Sequence, residues 1–291
     1  MSLSITPAAI ASACLDLDLD PAVAAVAIEV VEQTGSTNAD LLARASHASN
    51  GTGGPALTGP TLRVALAQTA GRGRAGRSWQ SDSGSLTFSL AWPCSQPISG
   101  LLGLPLAVGV AVAEALAARR IEVGLKWPND ILLDGRKLAG ILIETTNAAS
   151  VASTTGHPQR QTWAVIGIGM NLLPADGDAP GIALPGIAAV PATDRNILLA
   201  ELLDALLPAL VQFDQAGLAP FVARWNALHA HAGRRVDILD QGRILHSGVA
   251  LGVDASGRLL LETGTPAQVV AIVAGDVSLR ANQGAAHAAA N

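Results

Sequence analysis

Residues 71–79 read Gly-Arg-Gly-Arg-Ala-Gly-Arg-Ser-Trp and lie between two strand-like runs, 63–69 and 84–92. Glycine lets a loop move and lets backbone N–H groups approach a ligand closely. Arginine offers a planar fork of donors that matches carboxylate and phosphate oxygens. The stretch therefore fits a mobile loop that closes over an anion, and a solvated basic turn between strands is the alternative. It is not a Walker loop, because no Gly-Lys-Ser/Thr follows it.

Four other motifs accompany this stretch: GSTN at 35–38, KWPND at 126–130, KLAGILIE at 137–144 and GIGMN at 167–171. In this order the five motifs resemble those of the catalytic domain of biotin protein ligases, and the resemblance runs from about residue 30 to residue 280. It implies an α+β fold, in which a mixed-sheet biotin/lipoate ligase-like catalytic domain precedes a small C-terminal SH3-like β-barrel.

The pattern along the chain agrees with that division. We predict an N-terminal extension over 1–21, a catalytic domain over 22–232, a small domain over 233–281 and a disordered tail over 282–291. The Leu/Asp alternation at 15–20 suggests a loose strand or lead-in. Helices are expected at 101–120, 195–215 and 218–228. Short strands at 235–239, 244–253, 258–263 and 269–274 predict a small antiparallel barrel, and Asp134-Gly135 is a strong hairpin signal.

Composition narrows the class of protein. Hydrophobic residues make up 49% of the 291-residue chain, which is enough for a full core. A net charge of −5 argues against broad nucleic-acid binding. The two cysteines, Cys14 and Cys94, fit no metal spacing and suit reduced thiols of a cytoplasmic protein. No secretory signal is evident. The apolar run 101–118 contains Glu114, so a buried helix is favoured over a membrane span.

Some biotin protein ligases carry an N-terminal winged helix-turn-helix that represses transcription. Residues 1–35 leave too little room for such a module before GSTN, so the chain resembles the class that only ligates. We therefore expect no nucleic-acid partner and no membrane partner. The oligomeric state is left open between a monomer and a homodimer.

The resemblance implies a reaction in two steps. The carboxylate of biotin attacks the α-phosphate of ATP, which gives biotinyl-5′-AMP and pyrophosphate. A lysine of an acceptor then attacks the mixed anhydride and AMP leaves. The implied acceptor is the biotin carboxyl carrier protein of acetyl-CoA carboxylase, and Mg²⁺ is the implied ion. No residue is assigned as a metal ligand.

The charged residues of the motifs suit this chemistry, because two anions must be brought together and phosphoryl transfer depends on positioning and charge stabilisation. Lys126 is expected to carry the charge shared by the carboxylate and the α-phosphate. Arg72 and Arg74, with the backbones of Gly71 and Gly73, are expected to grip the biotin carboxylate and the adenylate phosphate. Lys126 and Arg74 are thus the candidate catalytic residues.

The biotin ring is assigned to polar side chains. A ureido group is a carbonyl between two N–H groups, so its pocket needs both donors and acceptors, which hydroxyls and amides supply. The candidates are Ser36, Thr37, Asn38 and Gln68. Ser36 or Thr37 also suits a helix N-cap. Gly140 and Gly169 are interpreted either as positions that leave room for the ligand or as backbone turns.

The remaining candidates carry open alternatives. Arg77 either meets pyrophosphate or lies in solvent, and Trp79 is either a packing anchor or a platform for adenine. Asn129 and Asp130 either orient Lys126, hold Mg²⁺ or cap a turn. Asn171 is placed with the nucleotide, with a structural role as the alternative.

Two rival functions remain. A lipoate ligase of the same fold also adenylates a carboxylate and loads a lysine, but lipoate has no ureido group for the polar side chains of GSTN. A nucleic-acid-binding protein that uses the Arg-Gly loop conflicts with the acidic net charge.

Overall fold

Two β-sheets organise the chain in the computed structural model, one of seven strands and one of five. The structure describes residues 5–16, 25–46, 55–81, 84–148, 161–172, 194–240, 242–275 and 277–281. The predicted tail at 282–291 lies outside the described residues. So do the Leu/Asp alternation from 17 onward, most of the loop at 46–60 and most of the hairpin end at 147–160.

The larger sheet is mixed and has the order β1-β2-β3-β7-β6-β5-β4. Its strands β1 to β7 are Ala27–Thr34, Thr61–Gln68, Ser85–Cys94, Gly124–Lys126, Asp130–Leu133, Arg136–Ala148 and Gln161–Asn171. The pair β1 and β2 is parallel and the other neighbours are antiparallel. The hairpin predicted at Asp134-Gly135 is confirmed: both residues have positive φ, +52° and +73°, which is the geometry of a two-residue turn between paired strands.

Five α-helices are described, α1 to α5: Pro7–Asp16, Thr37–Ala45, Leu104–Ala118, Arg195–Ala216 and Ala219–Ala227. The predicted helices at 101–120, 195–215 and 218–228 correspond to α3, α4 and α5. Helix α1 was not predicted. Its Ile10 is buried in the main core, and the helix packs against α4. Helix α4 is long and apolar enough to cross a membrane by length and composition, but most of it is buried inside the protein, as expected of a core helix.

Apolar residues alternate with small or polar residues along the central strands, so the larger sheet has two different faces. Phe88 and Leu90 of β3 and Ile166 and Ile168 of β7 are fully or almost fully buried under the helices of the main core. The residues that alternate with them point to the opposite face, because successive side chains of a strand alternate. That face carries small and polar residues: Thr87, Ser89, Gly167 and Gly169. It is therefore the face with room for a ligand, and α2 packs at one end of it.

The smaller sheet has the order β11-β10-β9-β8-β12 and is antiparallel. Its strands β8 to β12 are Arg235–Asp240, Arg243–Val253, Leu259–Thr263, Gln268–Ile272 and Ser278–Ala281. The first four agree with the strands predicted for the small barrel, and the fifth was not predicted. A buried hydrogen bond from Trp127 Nε1 to Gly257 O, 3.1 Å long, ties the smaller sheet to the KWPND segment.

A histidine pair lies where the chain leaves α5 and returns to the larger sheet. Leu125 of β4 exchanges backbone hydrogen bonds with Leu228 and Ala230, 2.7 and 2.9 Å long. His229 stacks on Trp225 with ring centroids 4.7 Å apart, and His231 lies 6.4 Å from it. Both nitrogens of His229 are buried without a hydrogen-bond partner in the described part of the chain. Burial, then the neighbouring His231, lowers the pKa of His229 from 6.5 to about 4.

We expect this pair to make stability depend on pH. Between about pH 6.5 and pH 4 the unfolded chain binds a proton at His229 that the folded protein excludes, so the free energy of unfolding falls as the pH falls. At about 1.4 kcal/mol per pKa unit, the loss is on the order of 3 kcal/mol. His229→Leu, which removes no hydrogen bond, should flatten that part of the curve, measured by urea unfolding at several pH values. His246→Leu on the exposed part of β9 is the control, and equal slopes in all three proteins would contradict the assignment.

Candidate functional site

A pocket opens on the polar face of the larger sheet, roofed by the 71–79 loop and bordered by the smaller sheet. Its volume is about 870 Å³ when the solvent at its open mouth is included. Most of the residues predicted from the motifs line it: Ser36, Thr37, Asn38, Gln68, Arg72, Gly73, Arg74, Arg77, Trp79, Lys126, Asn129, Gly140 and Gly169. The fold thus brings four separate motifs and the loop to one place.

The floor of the pocket is a chain of polar side chains. Ser36 caps helix α2, as predicted, by accepting a hydrogen bond from Ala39 N. Gln68 Oε1, at the end of β2, accepts from the backbone N–H of Thr37 at 2.8 Å. The hydroxyls of Thr37 and Ser89 are 2.7 Å apart, and Ser89 Oγ donates to Asn38 Oδ1 at 2.6 Å. Hydroxyl and amide groups thus lie close together on the buried floor of the pocket.

Glycines form the centre of the pocket face. Gly169 pairs with Thr87 on one side and Gly140 on the other, and the indole of Trp79 lies directly over this row. A Cβ added at Gly169 would come within 2.3 Å of Trp79 Cε2, far inside van der Waals contact. The close approach of the indole therefore requires glycine at 169. Trp79 is a packing anchor in this structure, although its buried Nε1 has no partner within the described residues.

Two lysines share one carboxylate at the edge of the pocket. Asp130 Oδ1 lies 2.6 Å from Lys137 Nζ, and its Oδ2 lies 3.2 Å from Lys126 Nζ. Burial by itself raises the pKa of Asp130, but the charges of Lys137 and Lys126 outweigh it, so the pKa of Asp130 is lowered. The ionised carboxylate offsets repulsion between the two ammonium groups and fixes where they lie. Lys137 also sits 5.6 Å from the centre of the Trp79 ring.

The 71–79 loop is held by its own backbone and by its arginines. Gly73 N donates to Arg77 O at 2.7 Å, and Trp79 N donates to Gly71 O at 2.8 Å. Arg72 forms an ion pair with Glu144 at 2.6 Å. Arg74 Nη1 donates to Asn129 Oδ1 at 3.2 Å, and its Nη2 donates to the carbonyl of Gly275. The guanidinium of Arg74 thus joins the loop to the KWPND segment and to the smaller sheet.

Two predicted residues do not line the pocket. Gly71 closes the base of the loop, where a Cβ would come within 2.4 Å of Trp79 O. Asn171, at the end of β7, donates to Lys137 O at 3.4 Å, and its contact with the nucleotide stays a prediction. Asn129 likewise braces the sheet, because its Nδ2 donates to Ile141 O at 2.7 Å.

The structure adds residues that the motifs did not indicate as site residues. Ser89 and Thr87 come from a strand without a motif, and their polar side of the alternation was the available signal. Lys137 lies in the KLAGILIE motif but was not assigned a role. Val277, Ser278 and Leu279 of the smaller sheet also line the pocket, a contribution that no local pattern indicates.

The arrangement can bind an uncharged polar ring and one or more anions side by side. The polar floor suits a group with both donors and acceptors, and the rim carries Arg72, Arg74, Arg77, Lys126 and Lys137. Asp130 is the one carboxylate among the described lining residues. Within the described part of the chain, no cluster of three or more His, Cys, Asp or Glu side chains suits a metal ion.

Comparison with known proteins places similarity over the same regions. Residues 34–156 match the model of the biotin/lipoate A/B protein ligase family, and residues 231–280 match that of the biotin protein ligase C-terminal domain. The biotin–[acetyl-CoA-carboxylase] ligase of Mycobacterium tuberculosis H37Rv is 36% identical over 260 residues, which cover 86% of this chain and 88% of the relative. The bifunctional ligase/repressor BirA of Escherichia coli K12 is 37% identical over 204 residues, and the chain spans 60% of its length.

Among solved structures, the biotin protein ligase of Aquifex aeolicus in complex with biotin and ATP superposes with a TM-score of 0.68 at 26% identity. The match covers 88% of this chain and 99% of the other. It therefore includes both the larger and the smaller sheet.

The contact between Trp79 and Gly169 gives a prediction about the roof of the pocket. Gly169→Ala should displace the indole, because a methyl group has no space beneath the ring. We expect stronger quenching of tryptophan fluorescence by iodide, since Trp79 is the tryptophan that must move. Gly59→Ala is the matched control, because nothing lies within 4 Å of a Cβ at that position. Unchanged quenching in Gly169→Ala would show that the indole does not occupy this position in solution.

Proposed function

The chain belongs to the biotin protein ligase family, and we propose that its pocket performs both steps of ATP-dependent biotin attachment to a protein lysine. The observation that carries the proposal is that a neutral polar floor and a cationic rim meet in one pocket. Biotin has the matching form, a polar ureido ring at one end and a carboxylate at the other. ATP then brings the second anion to the same rim.

The floor accounts for the ureido end. Thr37, Asn38, Gln68 and Ser89 bring two hydroxyls and two amides to one buried surface. A ureido group presents one acceptor between two donors, and hydroxyl and amide side chains can form hydrogen bonds with both kinds of atom. Lipoate presents no such polar ring, so its burial against this floor would add no hydrogen bond to offset the water that the polar groups lose. The floor therefore favours biotin over lipoate.

The rim accounts for the chemistry. In the first step an oxygen of the biotin carboxylate forms a bond to the α-phosphorus of ATP, and the bond from that phosphorus to the β-bridging oxygen breaks. Pyrophosphate leaves with the electron pair. Lys126 and Lys137, held by Asp130, bring positive charge to the place where the two anions meet. Fixed charge of this kind acts without reorganisation during the reaction.

In the second step the neutral amine of an acceptor lysine attacks the biotinyl carbonyl, and the carbon–oxygen bond to AMP breaks. AMP leaves with that electron pair, and the amine gives up a proton. The loop arginines Arg72 and Arg74 lie over the pocket and shield the reactive anhydride until the acceptor docks. No side chain of the pocket needs to form a covalent bond to biotin.

Three further features belong to the proposal. The acceptor is a biotin carboxyl carrier protein of acetyl-CoA carboxylase, which the name of the mycobacterial relative supports. Mg²⁺ bound to ATP would supply charge neutralisation at the phosphates, and Asp130 is the pocket carboxylate that could hold it. The protein acts in the cytoplasm, which its two unpaired cysteines support.

An exchange assay tests the proposed function. With ATP, Mg²⁺ and biotin, and without an acceptor, labelled pyrophosphate should enter ATP, because the first step is reversible and needs only the pocket. Omission of biotin should abolish the exchange. Exchange with lipoate in place of biotin would make the protein a lipoate ligase, and stable DNA binding in a filter assay without any exchange would reject a ligase function.

Variants of the two lysines test where the charge is needed. Lys126→Ala and Lys137→Ala should each lower the rate of biotinyl-AMP formation about 10²–10³-fold, the usual cost of losing one well-placed electrostatic group. Because both ammonium groups are partly exposed, at 25% and 38%, the temperature of unfolding should change little. Single-turnover formation of the adenylate is the measurement. Arg136→Ala, an exposed neighbour on β6, is the control, and a full rate in either lysine variant removes that lysine from the catalytic residues.

A further inference from the structure

Glu144 lies on β6, two residues beyond Leu142 on the pocket face, and does not itself line the pocket. It contacts two residues that do. One oxygen, Oε2, accepts from Asn38 Nδ2 at 3.0 Å and from Arg72 Nη2 at 2.6 Å. Asn38 belongs to the floor and Arg72 to the loop. A single carboxylate oxygen therefore contacts both the floor and the loop.

The carboxylate determines which end of the Asn38 amide faces the strand. An ionised carboxylate only accepts hydrogen bonds, so the amino end of Asn38 must point to it. The same amino group donates to Leu142 O at 3.2 Å. The carbonyl end is thereby turned to Ser89, whose hydroxyl donates to it at 2.6 Å. With its proton used there, Ser89 can only accept from the hydroxyl of Thr37, which has Ser89 Oγ at 2.7 Å and Gln68 Oε1 at 3.2 Å as its two acceptors.

Close packing leaves the Asn38 amide no other orientation in which to relax. A Cβ added at Gly167 would come within 2.4 Å of Asn38 Oδ1, so the amide lies directly on the sheet. Inverting it would aim an amino group at Ser89 and a carbonyl at the carboxylate of Glu144. The order of donors and acceptors across the floor thus depends on the negative charge of Glu144, which lies outside the pocket.

The second contact fixes the loop. Arg72 is held by Glu144 through one terminal nitrogen, and the same side chain lines the pocket. The two side chains are 42% and 25% exposed, so this is a partly buried ion pair. Ordering of the loop and ordering of the floor are consequently linked through the same oxygen.

We propose that Glu144 is a positioning residue that sets the polarity of the biotin-binding floor and holds Arg72 over it, so that floor and loop bind biotin as one unit. The inference rests on the proposed function. Biotin recognition thus depends on Glu144, a residue outside the pocket. ATP binding depends on it less: Arg72 is expected to meet the adenylate phosphate as well, but Lys126, Lys137 and Asp130 take no part in either contact of Glu144.

The direct test is Glu144→Gln, which keeps the shape and removes the charge. Glutamine can present either end to Asn38, so only the carbonyl of Leu142 still favours the present orientation of the amide, and the order of the floor is weakened. We expect the dissociation constant of biotin, measured by calorimetry, to rise about tenfold, while the KM for ATP changes much less. Glu144→Asp keeps the charge and should recover part of the affinity.

The matched control is Glu201→Gln. Glu201 forms an ion pair with Arg119 between α3 and α4, far from the pocket, and its 28% exposure is close to that of Glu144. The control should share any loss of thermal stability and leave the affinity for biotin unchanged. A merely structural role for Glu144 predicts the same result for both variants.

A double-mutant cycle completes the test. If Glu144 acts through Arg72, then Arg72→Gln should weaken biotin binding in the parent but add little in the Glu144→Gln protein. Independent, additive effects would overturn the proposed coupling, and parent-like affinity of Glu144→Gln would overturn the whole inference. A parent protein that does not bind biotin at all would reject the proposed function instead, so the two failures are distinguishable.

Discussion

The central strands of the larger sheet must be aliphatic on one face and nearly bare on the other. Phe88, Leu90, Ile166 and Ile168 are buried under the helices and supply the core. Between them on β7, Gly167 and Gly169 leave the opposite face without side chains, so Asn38 and Trp79 can lie directly on the sheet. A side chain at either glycine would fill the space that the ligand or its wall requires. The pocket therefore follows from the same alternation that builds the core.

The pocket is basic although the protein as a whole is acidic. The net charge is −5, yet the pocket rim carries two lysines and three arginines. Each lysine is bound to Asp130, and the carboxylate stays ionised because its pKa is lowered by them. Arg72 and Arg74 are likewise tied to Glu144 and Asn129. Cations that would repel one another are thus held at defined positions before any anion arrives.

The sequence predicted the residues that the motifs name, and it failed where the site depends on long-range contacts. Ser36, Gln68, Lys126 and Arg74 were found because each lies at a strand end, a helix start or a loop whose local pattern is specific. Ser89 was missed because the alternation along β3 marks it only as a residue of the polar face, and its role appears only when β3 faces α2. Helix α1 was not predicted either, because its burial depends on α4, which follows it by almost two hundred residues.

The boundary between the two predicted domains crosses the site. Trp127, which follows Lys126, is fully buried and donates to Gly257, while Arg74 of the loop donates to Gly275. Both acceptors are backbone carbonyls of the smaller sheet's connecting loops, so their positions depend on how that sheet folds rather than on their side chains. The KWPND segment and the loop are therefore both held by backbone carbonyls of the smaller sheet. The charged groups that the larger sheet and its loop bring to the pocket are thus aligned in part by the smaller sheet.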